Sequence, residues 1–139
     1  MGEREDAARR HRIRLLQRYV LNPPVKLAVR AGLVPGYVLI ETRGRRSGKR
    51  RVNVVGMHVE GSTGWVVAEQ GHHAGYVRNL EADPDVRVCR RGRWRPARAE
   101  VVPDDDAQAR LAAFSRSHAA VVRRVGTQLL TVRFDLAPT

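Results

Sequence analysis

The stretch Tyr37–Gly56, YVLIETRGRRSGKRRVNVVG, sets two valine-rich runs on either side of a loop crowded with cations. YVLIETR and VNVVG carry the branched side chains that suit a pleated, half-buried surface, and GRRSGKRR between them carries glycine and serine, which suit a reversal. The stretch therefore reads as strand, loop, strand. Valine-rich segments of the same kind follow: VNVVGMHVE continues to Glu60, and GWVVAEQ, VRVCRR and RWRPARAEVV lie downstream. Glu60-Gly61-Ser62-Thr63-Gly64 and Arg91-Gly92 read as hairpin turns between them.

Helices frame these strands. Asn22 with Pro23-Pro24 ends one helical pattern and starts another, VKLAVRAGL, which breaks at Pro35-Gly36. HHAGYVRNLEADP reads as a short helix stopped at Asp83, because the residue before a proline is pushed out of helical geometry. PDDDAQARLAAFSRSHAAVV reads as a helix whose acidic start suits the positive end of the helix dipole, and QLLTVRFDL as a closing strand. Hairpins rather than helical crossovers join most strands, and no period of repeats is present, which disfavours a doubly wound parallel sheet. The expected architecture is α+β: a small barrel of about six mostly antiparallel strands, with N-terminal, inter-strand and C-terminal helices packed outside.

The chain has 139 residues, the size of one domain over 1–139, with residues 1–21 forming a basic amphipathic helix in which Ile13, Leu16 and Val20 share a face. That helix is expected to be a solvated surface element, with an anionic membrane surface as its alternative partner. Twenty-six basic residues against 14 acidic ones give a net charge of +12, so the surface attracts anions. A single cysteine, Cys89, forms no internal disulfide, and no apolar run approaches a membrane span, so a reducing cytoplasm is expected. Cys89 sits among valines on a strand and reads as a small buried hydrophobe, while Trp65 and Trp94 read as barrel wall.

Arg43, Arg45, Arg46, Lys49, Arg50 and Arg51 crowd the loop. Two like charges 4 Å apart repel by about 1 kcal/mol even in water, so such a cluster suits splayed, solvated side chains or a bound anion. Glycine lets backbone amides approach a phosphate, serine donates a hydroxyl and arginine presents a planar fork to phosphate oxygens. Gly44 and Gly48 are separated by three residues and Arg50 follows Lys49, which excludes a Walker phosphate loop. Nucleic acid is disfavoured because aromatics are only 5% of the chain and single-strand readers stack bases on aromatic rings. A solvated turn, a coenzyme phosphate site and nucleic acid all remain open on these residues alone. His58, His72 and His73 do not complete a familiar metal-ligand spacing, so no metal is assigned.

GRRSGKRR, WVVAEQG and YVRNLEADPDVRV, in this order and spacing, resemble the landmarks of the deazaflavin-dependent nitroreductase and quinone reductase family, from about Asn22 to Val102. The resemblance implies a split β-barrel related to FMN-binding oxidoreductases. It also implies coenzyme F420, a deazaflavin hydride carrier with a phosphate and an acidic polyglutamate tail, in preference to FMN. Arg46, Ser47, Gly48 and Arg51 would hold that tail, with Arg43, Arg45, Lys49 and Arg50 steering it or facing water. Val54 falls where many relatives have proline. Ala68, Glu69 and Gln70 would pass beside the deazaflavin ring, where relatives often have serine-type residues. Tyr76 and Asn79 match a helix landmark that more often starts with tryptophan. The implied reaction passes a hydride between reduced F420 and an electrophilic acceptor, such as a quinone, nitro compound or activated alkene. The coenzyme supplies the chemistry, so no side chain is assigned as catalytic. Tyr76, His72, His73 and Glu69 are candidates for a proton donor. The alternative is a non-catalytic split-barrel module for another anionic ligand: flavin, haem or nucleic acid.

Overall fold

The computed structural model describes residues 23–125 and 128–138, so the basic helix expected over residues 1–21 lies outside the described residues. Helix α1 (Pro23–Arg30) opens on two prolines, tolerated in a first turn whose amides have no helical partner. It ends where Leu33 N donates to Ala28 O and Gly32 N to Val29 O, both at 3.0 Å, with Gly32 at φ +77°. That left-handed closing turn is the one glycine adopts without steric cost.

Seven strands follow, one more than the sequence suggests: β1 (Tyr37–Arg43), β2 (Arg50–Gly56), β3 (His58–Glu60), β4 (Thr63–Ala68), β5 (Asp85–Arg90), β6 (Arg93–Val102) and β7 (Leu130–Leu136). The extra strand arises because the expected run VNVVGMHVE is divided at Met57. The sheet runs β2-β1-β5-β6-β7-β4-β3, and every pairing is antiparallel. Its two outer strands, β2 and β3, are joined by Met57 alone, so the sheet has to curl round until its edges meet. This is a split barrel, and Met57 is its seam.

Alternation sorts the side chains. Val38 and Ile40 of β1, Val55 of β2 and Val88 of β5 point into one interior core with Val66, Val132 and Phe134. Leu39, Val54 and Cys89 point outward and are covered by Val29 of α1. Between β4 and β5, a 3-10 turn (Gly71–His73) leads into α2 (Gly75–Ala82), which sends Val77 and Leu80 into the interior core. The expected strand GWVVAEQ stops at Ala68 because Glu69 and Gln70 enter this turn. Asp83 is extended, at φ −139° and ψ 102°, as the following proline requires.

The expected C-terminal helix is three pieces: α3 (Ala107–Arg110), a 3-10 turn (Leu111–Ala113) and α4 (Arg116–Val125). Asp106 caps α3 by accepting from Ala109 N at 3.1 Å, whereas Asp105 turns away to Arg110 and Thr131. Leu111, Ala119 and Val122 pack on Val67, on the outer face of β4.

Candidate functional site

The register of the first hairpin builds the site. Thr42 pairs with Arg51 and Ile40 with Asn53, so Thr42, Arg51 and Asn53 continue the face that carries the barrel core. Beyond Arg43 and Arg50 the chain turns back tightly: Gly44 N donates to Lys49 O at 2.7 Å and Gly48 N to Gly44 O at 2.8 Å. Gly48 lies at φ +69°, where a side chain is strained, and Ser47 Oγ accepts from Lys49 N at 3.2 Å. Ser47 and Gly48 thus shape the loop.

Asn79 of α2, buried beneath the hairpin, fixes that loop to the barrel. Its Oδ1 accepts from the Arg45 backbone amide at 3.3 Å and from the Arg45 guanidinium at 3.0 Å. Its Nδ2 donates to Thr42 Oγ1 at 3.2 Å. One amide therefore ties together β1, the cationic loop and α2. Arg45 is exposed, as expected of a residue facing water, and its bonds to Asn79 also make it a structural anchor.

Beside this junction lies a cavity of about 540 Å³ lined by Lys26, Arg50, Arg51, Asn53, Tyr76 and Asn79, among others. Three cations line it and no carboxylate does. Arg50 is shared with Glu41, at 3.0 Å, while Lys26 and Arg51 have no acidic partner among the described residues. Glu41 also takes a fork from Arg87, and these bonds, that of Arg87 foremost, hold its carboxyl below the ordinary range. Tyr76 has a half-buried ring and a hydroxyl with no hydrogen-bond partner among the described residues. Burial, then the charge of Glu69, raises its pKa, so it stays neutral and can donate.

Of the residues expected in the site, Arg51, Tyr76 and Asn79 come together at the cavity. Arg46, Ser47 and Gly48 sit on the exposed loop above it. Val54 is buried on the outer face against Val29, Leu39 and Cys89, so its side chain is away from the cavity. Ala68 is sealed in the barrel interior. Glu69 and Gln70 are half-buried where β4 ends, and burial raises the Glu69 carboxyl above the usual range. Exposed His72 bonds to Glu81 at 2.9 Å, and His58 to Glu60 at 3.0 Å. Among the described residues no group of His, Cys, Asp or Glu forms a metal cluster.

The sequence reading missed Lys26, Thr42 and Asn53. Strand alternation from Arg51 to Val55 was signal enough for Asn53. Lys26 had no local signal, because only the packing of α1 on the outer face of β1 and β5 brings it to the cavity.

A family model described as F420H(2)-dependent quinone reductase matches residues 14–137. The chain belongs to this family. No curated protein matches significantly. Among solved structures, the F420-H2-dependent reductase FDR-A is similar at TM-score 0.56 and 22% identity, covering 74% of this chain and 95% of that one. An F420 reductase gives TM-score 0.52 at 16% identity, over 78% and 91%. HutZ, the heme storage protein from Vibrio cholerae, gives 0.55 at 15%, over 86% and 92%. At such identities these likenesses establish the split-barrel fold alone. The cavity under the basic hairpin has a lining suited to an anionic ligand. Its cations outnumber nearby acids, and the Tyr76 hydroxyl and the Asn53 amide offer directed hydrogen bonds, so the residues fit F420.

Proposed function

We propose that the protein is an F420-dependent oxidoreductase that passes a hydride from reduced F420 to an electrophilic acceptor of the quinone, nitro or activated-alkene class, and that F420 rather than FMN is its coenzyme. The observation that carries this reading is the 540 Å³ cavity whose lining holds three cations and no carboxylate, in a chain of the F420H(2)-dependent quinone reductase family. Cations stand at two levels, Lys26, Arg50 and Arg51 in the cavity and Arg43, Arg46 and Lys49 exposed on or beside the loop. That distribution suits a ligand with both a phosphate and a long acidic tail.

Bound reduced F420 supplies the hydride. The protein's part is to hold and orient, since positioning alone removes much of a bimolecular barrier. Arg51 and Lys26 bind phosphate or tail oxygens, Asn79 keeps the hairpin over the cavity through Arg45, and the Tyr76 ring walls it. Reduction of the acceptor also consumes a proton. His72 and His73 face solvent, so Tyr76 and Glu69 are the groups that could deliver it internally. Each charge-assisted hydrogen bond from Arg51 or Lys26 is expected to contribute about 1.5–3 kcal/mol to coenzyme binding.

The test is stopped-flow mixing of the F420H2-loaded protein with a soluble quinone, a nitroarene and a cyclic enone. Acceptor-dependent coenzyme oxidation is expected with at least one. Saturable coenzyme binding with no oxidation by any of them would overturn the hydride-transfer reading.

A further inference from the structure

The end of the barrel opposite the basic hairpin carries a second concentration of positive charge. The closing turn of α1 abuts the β5–β6 turn: a Cβ on Gly32 would lie 3.1 Å from Arg91 Cα, and one on Gly92 would lie 3.6 Å from Arg30 O. Arg30, Arg90, Arg91 and Arg93 therefore gather at one place. On the barrel wall several arginines are held by acids, as Arg87 and Arg50 are by Glu41, Arg110 by Asp105 and Arg133 by Asp135. These four have no acidic partner among the described residues.

Two exposed leucines stand beside them. Leu27 is 65% and Leu33 73% exposed, and they are the exposed large hydrophobics of the described residues. Leu33 follows the left-handed Gly32, a position whose side chain usually packs back on its own helix; here it is left in solvent. Between the two turns lies a cavity of about 220 Å³, lined among others by Gly32, Gly36, Tyr37, Met57, Arg90 and Arg91. It is large enough for a phosphate headgroup. Arg91 itself holds φ +52°, a left-handed conformation that glycine or asparagine would adopt more cheaply.

Aliphatic side chains framed by unpaired arginines match a surface that is apolar within and phosphate-lined without. Nucleic acid would reward free aromatic rings, and the two here are engaged: Tyr37 is bonded to His118 at 2.9 Å, and Trp94 packs against the outer cluster with the Arg87 guanidinium 4.9 Å from its ring centre. We propose that this end of the molecule docks on an anionic lipid bilayer, with Leu27 and Leu33 entering the headgroup–acyl boundary and Arg30, Arg90, Arg91 and Arg93 contacting lipid phosphates. This surface is separate from the coenzyme cavity.

The test is flotation of the full chain with phosphatidylglycerol-containing vesicles and with pure phosphatidylcholine vesicles, in about 0.15 M salt, where surface charge is screened beyond about 8 Å. Leu27→Ser/Leu33→Ser keeps the net charge, so a diffuse electrostatic attraction would be unchanged. Arg91→Gly removes one cation and relieves its backbone, so its Tm should hold or rise. At least a tenfold preference for the anionic vesicles is expected, with at least a fivefold loss of partitioning in the leucine double variant and a measurable loss in Arg91→Gly. Wild-type partitioning in both variants would overturn the proposal. So would sedimentation showing that the leucine variant dissociates a dimer without changing vesicle binding.

Discussion

Asn79 is the residue on which the site depends. Its amide is buried and makes three hydrogen bonds, two from Arg45 and one to Thr42, and Thr42 is 1% exposed. Asn79→Ala removes the partner of a buried hydroxyl, so a loss of about 1–3 kcal/mol is expected in chemical denaturation, together with weaker coenzyme binding. Asn79→Asp keeps the acceptor for Arg45 and should lose less. Glu69 carries a pH signature. Its folded pKa is raised by burial, so the native state holds the proton longer than the unfolded chain and stability falls as pH rises from the ordinary glutamate range through the raised value. Glu69→Gln is expected to flatten that part of the curve in thermal melts across pH and to be more stable than wild type above it. His118 acts in the other direction. Burial lowers its pKa, so acidification through the ordinary histidine range favours the unfolded state. Its ring also lies against Gly56 so closely that a Cβ there would overlap it. Gly56→Ala should cost about 1–3 kcal/mol or more by overpacking, read as a lower denaturation midpoint.

At the scale of elements, β1, α2 and the basic hairpin act as one unit. Leu80 fixes α2 in the barrel interior and is 1% exposed, so Leu80→Ala should cost about 2–5 kcal/mol and lower coenzyme affinity through Asn79. Equal destabilisation with unchanged affinity would separate the helix from the site. The elements were legible to different degrees. β1 and β6 were readable to the residue because turn residues bound uniform extended runs. The seam at Met57 was not, since the single glycine of VNVVGMHVE, Gly56, does not by itself end a strand and the division is imposed by closing the sheet. In the C-terminal segment the break did carry a signal: Ser115 Oγ accepts from His118 N at 3.3 Å and begins α4. An alanine-rich context hid that cap.

For the whole molecule, the landmark order foretold the barrel. The net charge of +12 could not say where the anions go. Folding divides the cations into those paired on the barrel wall, those at the hairpin and cavity, and those at the far end. Lys26 reaches the cavity and Val54 leaves it for reasons of packing that no short motif encodes. The proposed coenzyme site is a specific cationic cavity, and not the overall charge. Titration of purified protein with oxidised and reduced F420 tests it most directly, comparing wild type with Arg51→Ala, Lys26→Ala and the distant Arg98→Ala, each one charge lower. Saturable binding is expected, at least tenfold weaker in the two cavity variants and within twofold of wild type in Arg98→Ala. Absence of binding to either form, or equal losses in all three variants, would contradict the account.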